Sequence, residues 1–119
     1  MKKNDVLKQI VKQAKVKEAV NIEATIGGFV SPKSIRYRNA KNAYTPDVVV
    51  SYETKKDIFF IEDRLNKTLL PDMITKWILF SLEARKRKGK FYLMIPEKQK
   101  ERFEQVIRDK QISAEIRTF

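Results

Sequence analysis

Two short runs of strand-forming residues stand close together near the middle of the chain, and they restrict its folding more than any other feature. Val48-Val49-Val50 lies in a β-branched segment from Asp47 to Tyr52, and Ile58-Phe59-Phe60-Ile61 opens a second segment from Ile58 to Leu65. Only the polar turn Glu53 to Lys56 and Asp57 separate them. Runs this close are predicted to pair as an antiparallel hairpin. The start of one such strand meets the end of the other, so Asp47 is expected opposite the region of Glu62.

The rest of the chain alternates helix and strand patterns around this hairpin. Val6, Leu7, Ile10, Val11 and Ala14 follow the i, i+3, i+4 spacing of a helix with one buried face, predicted to run to about Val20 with Asn4 or Asp5 as its cap. Ile22 to Val30 reads as a strand carrying Gly27-Gly28, where a bend is the simplest account of paired glycines. After Ser31-Pro32, Ile35 to Arg38 alternates as a short strand, and Asn39 to Thr45 reads as a polar loop. Pro71 and Asp72 suit the first turn of a long helix, where Pro lacks only a spare donor and Asp meets the positive dipole end. Met73, Ile74, Trp77, Ile78, Ser81 and Leu82 give that helix a broad apolar face, with Trp77 expected in the core, and Arg85-Lys86-Arg87-Lys88 before Gly89 marks its end. Phe91 to Ile95 is a strand buried on both faces, Glu97 to Lys110 a second amphipathic helix, and Ile112 to Phe119 a last strand. The order α-β-β-β-α-β-α-β predicts a mixed sheet with helices on both faces. The 119 residues fit a single domain over residues 1–119, with no linker or repeat inside it.

Composition narrows the chemistry. There is no cysteine and no histidine. Disulfide frameworks, thiolate nucleophiles, zinc-thiolate sites and histidine-based triads are excluded together. Catalysis, if any, rests on carboxylates, lysines, hydroxyls and a bound metal. Lys and Arg number 26 against 15 Asp and Glu, a formal charge of +11, and that field attracts polyanions, of which nucleic acid is the commonest. The lysine-rich amphipathic start is not a signal peptide, and no segment reaches the ~20 apolar residues of a membrane span, so a cytoplasmic chain with no membrane partner is expected.

Asp47, Glu62 and Arg64 form the candidate site. Strand alternation places Glu62 and Arg64 on one face, and hairpin pairing brings Asp47 to them. Two carboxylates at one strand end are hard oxygen ligands for Mg²⁺ or Mn²⁺, and such a cation acidifies water and stabilises charge on a phosphate. Lys33, Arg36, Tyr37, Arg38, Lys41 and Tyr44 crowd beside that site, a mixture suited to phosphate contact and base stacking. The Arg85 to Lys90 run reads more simply as charge complementing a helix end.

The element order, the Pro46-Asp47 opening a strand, and Glu62-Asp63-Arg64 after a spacer of fourteen residues resemble the PD-(D/E)xK restriction-endonuclease-like superfamily. The resemblance covers about residues 4 to 96. It implies an αβββαβ restriction-endonuclease-like core with an additional C-terminal helix and strand. It also implies a Mg²⁺- or Mn²⁺-dependent phosphodiester endonuclease acting on nucleic acid, DNA above all, with Asp47 and Glu62 on the metal. An acid from the first helix is a further ligand in that family, and Glu18 is the nearest candidate, with Glu23 behind it. Position 64 is lysine in the family pattern and arginine here. A guanidinium stays protonated and is no base, although it stabilises a phosphate. Lys67 and Lys76 are the lysines available to replace it. Asp63 also stands where such strands place an apolar residue. The alternative is a catalytically inactive relative that binds DNA or a protein partner through the same fold, with a homodimer left open.

Overall fold

The hairpin is present, with Val48 opposite Phe59 and Ser51 opposite Lys56. In the computed structural model, which describes residues 2–119, the order is α1 Lys3–Val16, β1 Asn21–Ala24, β2 Val48–Ser51, β3 Lys56–Ile61, α2 Leu70–Lys86, β4 Phe91–Ile95, α3 Lys100–Asp109 and β5 Glu115–Thr118. A 3-10 turn, Glu97–Gln99, leads into α3. The strands form one five-stranded sheet in the order β1-β2-β3-β4-β5. β1, β2 and β3 are antiparallel neighbours, whereas β4 and β5 join in parallel. It is the mixed α/β arrangement that the order of patterned segments predicts.

Strand alternation divides the apolar side chains between two cores. Val48, Val50, Ile61, Tyr92 and Met94 face α1 and its Val6, Leu7, Ile10, Val11 and Ala14. Ile58, Phe91, Leu93 and Ile95 face Met73, Trp77, Phe80 and Ala84 of α2 and Phe103 of α3. β4 is buried at every position because both cores close over it. Among the described residues no helix is long and apolar enough to cross a membrane.

Several boundaries differ from expectation, each for a local reason. α1 stops at Val16, and Glu18 turns the chain with φ 62. Lys2 is its N-cap residue, and Asp5 lies in the first turn and makes no cap. β1 ends at Ala24, whose N–H donates to the Val30 carbonyl and closes a loop around Gly28 at φ 90. The predicted strand at Ile35 to Arg38 is reduced to one antiparallel bridge between Ile35 and Tyr44. β3 ends at Ile61: Glu62 makes one more bond to the Met94 carbonyl, and β4 then runs out at Pro96. The last strand begins at Glu115, because Ile112 is spent capping α3 through the Ile107 carbonyl.

The junction of α2 with β4 shows what Gly89 is for. The left-handed residue there is Lys88, at φ 62. Gly89 is required by closeness instead: a Cβ on it would lie 1.6 Å from the Lys56 carbonyl oxygen.

Candidate functional site

Asp47 is 3% exposed, at the head of β2. A buried carboxylate needs donors. Ile61 lies beyond the last β2–β3 register pair, so its N–H is available, and it donates to Asp47 Oδ2 at 2.8 Å. The second oxygen, Oδ1, is 3.1 Å from Lys3 Nζ in the first turn of α1. One bond fixes the carboxylate to the end of β3, and the other ties it to a helix on one face of the sheet.

Glu62 follows Ile61 directly and is served from the other face. Its Oε2 accepts from Trp77 Nε1–H at 2.9 Å and lies 2.9 Å from Lys76 Nζ. Trp77 is wholly buried by its place on the apolar face of α2, which aims its single polar atom at Glu62. Lys76 also sits over the Phe60 ring at 4.1 Å, so its ammonium is held by a carboxylate and an aromatic face together. The ion pair is largely covered, with side-chain exposures of 15% and 13%. Asp47 and Glu62 thus stand toward the same end of the sheet, each paired with a lysine from a helix on a different face.

The basic excursion between β1 and β2 is fastened to the same region. Ile35 and Tyr44 exchange both backbone bonds, and the Ser34 and Thr45 hydroxyls meet at 2.7 Å. The Tyr44 hydroxyl donates to Asp72 in the first turn of α2, one turn before Lys76. That bond holds the Tyr44 phenol above its ordinary pKa, with burial and the Asp72 charge adding to it. Lys33, Arg36, Arg38 and Lys41 are exposed along the excursion and Tyr37 is half-buried.

The other candidates fall elsewhere. Glu18 is a correction: it lies beyond the far end of α1, roughly 20 Å along the helix from Lys3, and so does not join Asp47. Glu23 pairs with Val49 and lines a separate cleft with Lys33, Lys56 and Arg87. Arg64 and Asp63 are exposed beyond the end of β3, and neither makes a hydrogen bond or ion pair among the described residues. The strand alternation expected to carry Arg64 alongside Glu62 does not extend that far, because β3 ends at Ile61. Lys67 is exposed in the turn before α2. Lys3 was not anticipated. Apolar periodicity shows which face of α1 packs inward, but not which end of the sheet receives its first turn.

In kind, the donor set suits a small hard cation. Mg²⁺ commonly takes one or two carboxylates and fills its shell with water and phosphate oxygens. Glu62 Oε1 accepts no hydrogen bond among the described residues, and Asp47 Oδ1 is held only by Lys3, whose side chain is 55% exposed. No group of three or more carboxylates that could hold a metal occurs among the described residues. The residues that would hold such a cation are Asp47 and Glu62, each already paired with a lysine. Comparisons with protein-family models, with curated proteins and with solved structures yield no match to this chain.

Proposed function

We propose that this chain is a nucleic-acid-binding domain with a restriction-endonuclease-like arrangement, holding a phosphate backbone across the Asp47 end of its sheet. One observation carries the reading. The Tyr44–Asp72 bond moors the basic excursion to the first turn of α2, and the next turn presents Lys76 to Glu62. Arg36, Arg38 and Lys41 are exposed cations of that moored excursion, whereas Lys33 lines the separate cleft with Glu23, Lys56 and Arg87. Carboxylates repel a phosphate unless a cation lies between them. Mg²⁺ or Mn²⁺ held by Asp47 and Glu62 supplies that positive charge when bound.

Binding is tested by titrating duplex and single-stranded DNA over a range of salt. Affinity is expected to fall with log salt at about −0.7 to −0.9 per phosphate contacted. Replacing Lys33, Arg36 and Arg38 together by Ala should weaken binding and flatten that slope. An unchanged slope in the triple variant removes the excursion from the contact surface.

Hydrolysis of the bound phosphodiester is a second reading, favoured by Lys76. Arg64 cannot accept a proton and stands outside the cluster. An ammonium 2.9 Å from Glu62 is positioned to stabilise charge on the phosphate or to orient a water. With Mn²⁺ and a labelled duplex, any cleavage by the parent should be lost in both Glu62→Gln and Lys76→Met. Cleavage that survives Lys76→Met would rule out that role. Binding without cleavage in the parent leaves the chain a binding module.

A further inference from the structure

The opposite end of the sheet carries a second concentration of charge, away from Asp47 and Glu62. A cleft of about 350 Å³ opens there between the last turns of α2, the start of β4 and the loop from α3 to β5. Arg85, Lys90 and Ser113 line it, with Ile112 and Phe91 supplying apolar wall. An adjoining cleft of about 190 Å³ shares Ser81, Arg85, Ile112 and Ser113 with the first and adds Lys110. Three cations from three separate elements therefore border one concave surface, and Arg85 stands at the junction of its two lobes.

We propose that this double cleft binds a phosphate group, with Arg85 as its principal ligand and Lys90 and Lys110 flanking it. The guanidinium fork matches two phosphate oxygens at once, a match that a lysine cannot make. Arg85 is free for the task, since it makes no ion pair or side-chain hydrogen bond among the described residues. Ser113 is exposed, and its hydroxyl is likewise uncommitted among those residues, which leaves a donor at the rim. Ser81 is not a donor to the ligand, because its hydroxyl already donates to the Ile78 carbonyl at 2.7 Å. Glu115 is the opposing charge, 3.6 Å from Lys90, but both groups are well exposed and their pairing is weak.

Charge complementing the end of α2 explains Arg85 and Lys86 equally. It does not explain why lysines from the turn before β4 and from the end of α3 border the same concavity as Arg85 while Lys86 stays outside it. Exhausted carbonyls strengthen the distinction. The last turn of α2 is closed by the N–H groups of Arg87, Lys88 and Gly89, so little negative potential remains there for Arg85 to answer. The proposal does not depend on the reading of the Asp47 end. The phosphate belongs either to a small phosphorylated molecule or to a nucleic-acid backbone.

The full chain is titrated with pyrophosphate at constant ionic strength and, separately, with duplex DNA, while the amide resonances of Gly89, Lys90, Ser113 and Ala114 are followed. Arg85→Ala and Lys86→Ala each remove one positive charge from the same helix end, and both residues are exposed, so folding is unaffected. Loss of a charge-assisted bond is expected to weaken binding by about tenfold in Arg85→Ala, with Lys86→Ala close to the parent. That pattern with pyrophosphate identifies a small phosphorylated ligand. The same pattern with duplex alone identifies a backbone phosphate. Equal losses in both variants, or no binding of either probe, overturn the proposal.

Discussion

At the residue scale, Asp47 shows how one carboxylate serves structure and chemistry together. It supplies the acceptor for the Ile61 N–H and the partner for Lys3. Asp47→Ala leaves that N–H without an acceptor and is expected to cost about 1–3 kcal/mol in urea unfolding. Asp47→Asn keeps an amide oxygen for Ile61, gives up only the exposed Lys3 pair, and should cost well under half as much. The two variants should nonetheless agree in their response to Mn²⁺. A cation at about 100 times its dissociation constant adds about 2.7 kcal/mol to the parent. Removing one of two anionic ligands should abolish the accompanying rise in Tm in both variants. A rise that persists in Asp47→Ala places the cation elsewhere.

At the element scale, the end of α2 and the start of β4 are joined by two residues with opposite requirements. Gly89→Ala puts a methyl group 1.6 Å from the Lys56 carbonyl oxygen, and that backbone is tied to Arg87 and cannot yield cheaply. A loss of about 3 kcal/mol or more is expected. Lys88→Gly is expected to do the reverse, because the left-handed φ of 62 penalises a residue with a Cβ. Its gain should be no more than about 1 kcal/mol. Paired denaturation curves decide the matter. If Gly89→Ala is harmless, the close approach of β3 and the α2–β4 turn is wrong. Helix-stop residues are legible in the sequence, yet their arrangement is not: Gly89 was expected to end the helix and instead permits contact with a strand thirty-three positions away.

At the scale of the whole molecule, three tyrosines set an alkaline limit. The Tyr44 phenol is raised by its bond to Asp72, and those of Tyr52 and Tyr92 are raised first by burial and then by the charge of Asp57. A phenol whose pKa is higher in the folded chain contributes stability that is fully present below its unfolded value, about 10. That contribution is lost as pH rises through the folded value. Stability is therefore expected to hold up to about pH 10 and to decline above it, with tyrosinate absorbance appearing late. Tyr44→Phe should reduce the part of the decline that belongs to the excursion, and should loosen the excursion already at neutral pH. A profile flat through the alkaline range would contradict these surroundings for the three rings.

The sequence by itself determined the elements and their two-faced burial. The spacing of Val6, Leu7, Ile10, Val11 and Ala14 is enough to define a one-sided helix, and the Val48 and Ile58 runs are enough to define a hairpin, because periodicity is local. It also brought Asp47 to the Glu62 end, since hairpin pairing follows from proximity along the chain. Only the tertiary structure decided which charges meet there. Lys3 is an unremarkable member of a lysine-rich helix, and Lys76 only one of two candidate lysines, until the packing of α1 and α2 sets the first turn of one and the second turn of the other against that strand end. Arg64 was expected from strand alternation and Glu18 from the family resemblance, but β4 ends at Ile95 and takes away the ladder that would have carried Arg64, while α1 carries Glu18 in the opposite direction. Burial then selects among the remaining charges: a carboxylate such as Asp47, taken from water, has to find its donors where the packed elements offer them.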